Sequence, residues 1–205
     1  DGDINIKLGA EVEKELGQGG FKYFLYDESS KLNINYAGLE MIARLPGMDL
    51  ETANEVYTSP YKPFRAKESL LSIDGFTAER YNKIKDFITV FGSGSLNVNT
   101  AAEEALLAVG FDDTVVSQIC QLRAGQDGQD GTGDDELFKD MGEFADKITF
   151  SSQQKALLKE LLSTGTLTTL PDTLRLEADI FLSGRRIMRY SLIFDKCGIK
   201  QWREY

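Results

Sequence analysis

Residues 174–194 read LRLEADIFLSGRRIMRYSLIF, and their period of two decides the fold class at this end of the chain. Leu174, Leu176, Ala178, Ile180 and Leu182 alternate with Arg175, Glu177, Asp179 and Phe181. Ser183-Gly184 turns the chain, and Met188, Tyr190, Leu192 and Phe194 alternate back. Cys197-Gly198 makes a second turn into Ile199–Glu204, which predicts an antiparallel meander of three strands. So small a meander leaves one face exposed unless another element covers it. The aromatic run Phe21–Tyr26 reads as a strand that joins this sheet. Ahead of it, Glu11–Leu16 reads as a short helix ending in Gly17-Gln18-Gly19-Gly20, and an N-terminal helix would supply the cover.

Between the two chain ends the pattern changes to short helices. The predicted spans are Ala37–Arg44, Asp49–Tyr57, Lys67–Ser72, Thr77–Phe87, Thr100–Val109, Asp112–Leu122 and Ser151–Leu162. Thr100 with Glu103, and Ser151 with Gln154, have the spacing of capping boxes. The expected fold class is α+β: an antiparallel sheet with an N-terminal helix, built from residues 1–35 and 165–205. A large all-helical insertion, residues 36–164, interrupts it.

An internal repeat runs through the insertion. Leu32-Asn33-Ile34-Asn35 recurs 64 positions later as Leu96-Asn97-Val98-Asn99, and an alanine-containing helix follows each copy. Each helix reaches a tight apolar-glycine turn, Leu45-Pro46-Gly47-Met48 and Val109-Gly110-Phe111. A third such turn, Ile73-Asp74-Gly75-Phe76, lies between them. These turns resemble helix-hairpin-helix units, in which glycine supplies a positive φ and lets two helices meet sharply. In DNA-binding versions, bare amides at the next helix N-terminus hold a phosphate. Here Asp49, Thr77 and Asp112 stand two positions after the turn glycines. An aspartate caps its own helix and fills the anion site with its own charge. Only the middle turn, with Lys62, Arg65, Lys67, Arg80, Lys83 and Lys85 nearby, keeps basic character.

Composition narrows the function classes. The 205 residues carry a formal net charge of −10, which repels phosphates and anionic headgroups. There is no histidine, so Ser-His-Asp and Cys-His catalysis and histidine metal ligation are excluded together. The adjacent pairs Glu103/Glu104 and Asp112/Asp113 diverge on a helix or cap, making poor acid–base dyads. Cys120 and Cys197 fit no metal or redox spacing. The expected protein is not an enzyme.

One stretch invites a ligand. Residues 126–146 (QDGQDGTGDDELFKDMGEFAD) hold eight acidic residues and a single basic one, Lys139. Clustered carboxylates repel unless a cation neutralises them, and glycines let the chain wrap so that oxygens converge. An oxygen-only donor set suits Ca²⁺. The EF-hand pattern is not met, and a solvated acidic loop is the alternative. The expected ligands are Asp127, Asp130, Asp134 and Asp135, with Glu136 beside them.

Asp27-Glu28-Ser29-Ser30-Lys31-Leu32-Asn33-Ile34-Asn35 resembles a segment of the K-class minor pseudopilins of type II secretion. The resemblance continues through Leu45-Pro46-Gly47-Met48, Pro63-Phe64, Glu68-Ser69-Leu70-Leu71 and Leu96-Asn97-Val98-Asn99-Thr100-Ala101, to the ending Ile199 to Trp202-Arg203-Glu204. It implies a membrane-anchored N-terminal helix ahead of Asp1 and a pseudopilin core interrupted by a helical domain. It further implies a periplasmic location at the tip of a short pseudopilus, anchored to the inner membrane. The implied partners are the I-class and J-class minor pseudopilins, and calcium sites are a property of that family. The hairpins also resemble competence-type DNA-binding modules, the runner-up reading; no nucleic-acid partner is expected.

Overall fold

The computed structural model describes residues 11–128 and 135–205, and the chain divides into two compact units. The first holds the residues through Glu28 together with Asp172–Tyr205; the second is Ser29–Pro171.

The first unit is a five-stranded antiparallel sheet. Its strands are β1 (Val12–Leu16), β2 (Gly19–Asp27), β7 (Thr173–Leu182), β8 (Arg185–Asp195) and β9 (Gly198–Glu204), in the order β1-β2-β7-β8-β9. The predicted meander and the joining strand Phe21–Tyr26 are both present. The expected helix at Glu11–Leu16 is not: its last five residues, Val12–Leu16, form β1. Val12, Lys14 and Leu16 pair with Tyr23, Phe21 and Gly19 across a turn at Gly17-Gln18. Glu, Lys and Leu favour helix in isolation, but five residues bury too little to hold one, and the neighbouring strand offers a complete ladder. Lys22 ties this hairpin by ion pairs to Glu11 (3.4 Å) and Glu13 (3.1 Å).

The second unit holds seven α-helices among its described residues: α1 (Leu39–Ala43), α2 (Leu50–Tyr57), α3 (Ala78–Ile84), α4 (Glu103–Ala108), α5 (Asp113–Arg123), α6 (Met141–Lys147) and α7 (Ser152–Ser163). Lys67–Ser72 forms a 3₁₀ helix. Two short parallel bridges complete it, β3 (Leu32–Asn33) with β4 (Ile88–Thr89) and β5 (Leu96–Asn97) with β6 (Leu167–Thr168). One continuous apolar core runs through the unit, with Ile34, Ile42, Val56, Leu70, Ile84, Leu106, Ile119 and Phe144 fully enclosed. Phe144 packs edge-on to Phe138 and Phe150, at ring-centroid distances of 5.1 and 5.8 Å.

Two capping expectations change. Thr100 is not an N-cap: α4 starts at Glu103 behind Ala102, and no side chain caps it. The reason is local, since Thr100 and Ala101 donate their amides to Asn97 O (3.1 and 2.9 Å) in a turn that ends the bridge first. Ser151 does cap α7, accepting from Gln154 N at 3.2 Å. The Gln154 side chain does not return to it, however, and donates to Gly110 O (3.2 Å) instead. The helix α6 lies inside the stretch read as a loop. Asp140 caps it, accepting from Gly142 N and Glu143 N, while Glu143 accepts from Lys139 N (2.7 Å). That is a reciprocal cap whose sequence signal was hidden in a run of acids.

Candidate functional site

The helical corners behave as their glycines require. Gly47, Gly75 and Gly110 have φ of +72°, +74° and +107°, a region costly for any residue with a Cβ. The residue two positions on then caps the next helix. Asp49 accepts from Thr52 N at 2.8 Å, Asp112 from Val115 N at 2.9 Å, and the Thr77 hydroxyl from Arg80 N at 3.2 Å. Each acceptor occupies the place where a phosphate oxygen would sit.

The basic residues around the middle corner are largely engaged inside the protein. Arg80 holds Asp49 (Nη2 to Oδ2, 2.7 Å) and donates to Thr52 Oγ1 at 2.5 Å. The Arg80 hydrogen bond, joined by the Thr52 amide, keeps the Asp49 carboxyl well below the usual carboxylate range, and Asp49 in turn raises Arg80. Lys83 pairs with Glu79 at 2.8 Å, and Lys67 donates to Lys85 O at 2.5 Å. Lys62 lies over the Tyr57 ring, 5.1 Å from its centroid, and burial lowers its pKa. Tethered cations beside acidic caps do not form a phosphate track, and the DNA-binding reading is not favoured.

Of the five expected calcium ligands, Asp130 and Asp134 lie outside the described residues. Asp127 is exposed and Asp135 half-buried. Glu136 forms an ion pair with Lys147 (2.9 Å), which also reaches Glu143 (3.2 Å). These two acids raise the Lys147 pKa, and Glu143 is lowered by the Lys139 amide first and by Lys147 second. Among the described residues no three acidic or sulfur side chains gather into a metal-binding group. The chemistry of the donor set suits a hard cation, whereas Glu136 already shares its charge with an ammonium. Cys120 is half-buried and Cys197 is exposed, and neither is in a disulfide.

The sequence pointed to one exposed face of the sheet, and the structure shows which residues line it. Cross-strand partners share a face, so the register sets one face residue by residue. It carries Phe21, Tyr23 and Leu25 of β2; Leu174, Leu176, Ala178 and Ile180 of β7; Met188, Tyr190, Leu192 and Phe194 of β8; and Trp202 of β9. Of these only Leu25 is buried, and Trp202 is 56% exposed. Among the described residues the first unit contains no α-helix to cover this face. The opposite face mixes Phe24, Tyr26 and Ile193 with charged residues that form ion pairs. Arg175 bonds Glu28 (2.9 Å) and Glu177 (2.6 Å) above the Tyr26 ring, and Arg189 holds Asp179 through two bonds of 2.6 Å. The alternation of 174–194 was the available signal; which partners line up beside it needed the register.

No protein-family model matches the chain, and no curated protein matches it. Among solved structures, it superposes on a chain of the GspK-GspI-GspJ complex from the enterotoxigenic Escherichia coli type 2 secretion system. The superposition covers 96% of this chain and 81% of that one, with a TM-score of 0.69 at 13% identity. At that identity the likeness is one of fold. The α+β arrangement, a five-stranded antiparallel sheet with several helices, is compatible with a pseudopilin-like fold.

Proposed function

We propose that this chain is the periplasmic part of a K-class minor pseudopilin of a type II secretion system. Its role is structural and involves no catalytic step. It sits at the pseudopilus tip, assembles with the I-class and J-class minor pseudopilins, and is held at the inner membrane by an N-terminal helix. The fold likeness to a chain of a secretion complex supports this reading. The observation that carries it is the open apolar sheet face, since an amphipathic helix laid on that face would bury it. No described helix is long and apolar enough to cross a membrane, so the anchor of this reading is a further segment.

The test uses the full-length protein in cells that secrete by this route. Leu192→Asp places a charge in the middle of the open face. It should leave the helical unit folded while abolishing co-purification with the I-class and J-class subunits and stopping secretion. Unimpaired secretion with intact co-purification would end the proposal. The gene upstream is expected to encode a short basic leader and about 20 apolar residues.

Calcium binding by the acidic loop belongs to the same proposal, with Asp127, Asp130, Asp134, Asp135 and Glu136 as ligands. Oxygen donors spaced by glycines support it. Chelation should lower the melting temperature by about 5 °C or more, reversed by added Ca²⁺. An unchanged melting curve would remove calcium and leave the assembly role standing.

A further inference from the structure

We propose that the outward side of α2 and the turn behind it form a docking site for a protein partner that presents one carboxylate among apolar side chains. The site lies away from the sheet strands and is independent of the assembly role given to their apolar face. Helix α2 buries Thr52, Ala53 and Val56. Leu50 and Tyr57, seven positions apart and so on one stripe of the helix, are 58% and 47% exposed. The Thr58 hydroxyl closes the helix by donating to Asn54 O at 2.7 Å. Ser59 is buried and folds the chain back: its Oγ accepts from Tyr61 N (3.2 Å) and its carbonyl from Lys62 N (3.2 Å). Tyr61 is left 56% exposed, and the Lys62 ammonium lies 5.1 Å from the centre of the Tyr57 ring. Phe64, itself buried, donates its N–H to Asn35 Oδ1 at 2.7 Å and fixes the chain just beyond. The two tyrosines and the lysine thus stand on a hydrogen-bonded turn.

Charge selects the occupant. Arg80 and Lys83 of the same unit are neutralised by Asp49 and Glu79. Among the described residues no carboxylate does this for Lys62, which is half-buried beside Tyr57, and burial alone lowers its pKa. Such an ammonium has lost water and gained no acid, so a carboxylate brought by a partner would restore its charged form. Arg65, exposed three residues on, offers a second cation. The same surface disfavours a polyanion. Glu51 and Glu55 stand exposed on α2, and a run of phosphates along the helix would meet them. A single carboxylate flanked by apolar groups avoids that repulsion and covers Leu50, Tyr57 and Tyr61. Tyrosine is among the side chains that carry most interface energy.

Two blocked peptides, acetyl-Ala-Phe-Glu-Leu-Ala-amide and its glutamine counterpart, test this by NMR titration of the chain. The glutamate peptide should shift the resonances of Tyr57, Tyr61 and Lys62 and raise the Lys62 pKa. At low salt it should bind about five- to tenfold more tightly than the glutamine peptide. Lys62→Met keeps an apolar stem beside Tyr57 and should bring the two peptides to equal affinity, whereas Lys62→Arg should retain the preference. Both replacements are of similar length to lysine, so both variants should melt with the parent. Equal affinities on the parent chain, a preference that survives Lys62→Met, or no shifts at α2 with either peptide would overturn the proposal. Displacement of the glutamate peptide by a DNA duplex would overturn it too, by assigning the site to phosphate.

Discussion

The helical unit encloses its apolar residues, and the sheet unit displays them. Among the described residues, every buried hydrophobic side chain except Leu25 and Ile193 belongs to the core between Leu32 and Leu167. On the apolar face of the sheet only Leu25 is buried, while the other face, which holds Ile193, is laced by arginine–carboxylate pairs. A unit that fills its own core has buried its apolar surface within itself. A sheet that satisfies one face and leaves the other apolar is half of a two-layer structure. The contrast divides the labour of the chain: the helical unit is a finished body, and the sheet is where assembly is expected.

The largest effect should come from Phe144→Ala, which empties the centre of the aromatic cluster and should cost about 3–5 kcal/mol. Because the chain's single tryptophan, Trp202, lies on the sheet, the comparison can be followed with two probes. Far-UV circular dichroism should show an early helical transition, and Trp202 fluorescence should keep its parental midpoint. A shift of both together would show that the units do not unfold independently. Next come Asn35→Ala and Asn99→Ala. Asn35 accepts from Phe64 N and donates to Phe64 O and Val90 O, and Asn99 accepts from Phe138 N and donates to Phe138 O and Thr169 O, so each change leaves backbone groups of two segments without that partner and should cost about 2–3 kcal/mol by urea denaturation. A loss at one site alone would set the two asparagines apart.

On the sheet, Leu192→Asp should lower the stability of the isolated chain by less than about 1 kcal/mol, as substitutions on open surface do. A cost like that of Phe144→Ala would mean the face is already covered. The smallest effect is electrostatic. Arg80 holds the Asp49 carboxyl below its ordinary value, so this pair stabilises the fold above the unfolded carboxylate pKa of ~3.9. That stability is lost as the pH falls from there toward the folded value. Asp49→Asn keeps the helix cap and removes the charge. Its melting temperature should therefore converge with the parent's in acid and fall slightly below it at neutral pH.

How far the sequence reached depended on whether a signal was local. The alternation of 174–194, the corner glycines and the aspartate caps depend on neighbours a few positions away, and all three appear as read. The strand β1 was misread because the helix preference of Glu13, Lys14 and Glu15 is local, whereas the ladder to β2 that outweighs it is not. Asp140 and Glu143 carried a cap signature, but their place in an acidic run drew them into the reading of a loop. At the acidic loop, the sequence named the donor chemistry, while the pairing of Glu136 with Lys147 came from a helix turn later in the chain.

By itself, the sequence determined the period of the sheet, the spacing of the helices and the repeated Leu-Asn-aliphatic-Asn segment, since propensity, capping and turn chemistry act within one or two turns of chain. The tertiary structure decided which side chains share a face and which carbonyls each repeated asparagine grips. It also showed that the apolar face of the sheet stands open among the described residues. Those outcomes depend on register and on partners tens of residues away, which no short-range pattern encodes.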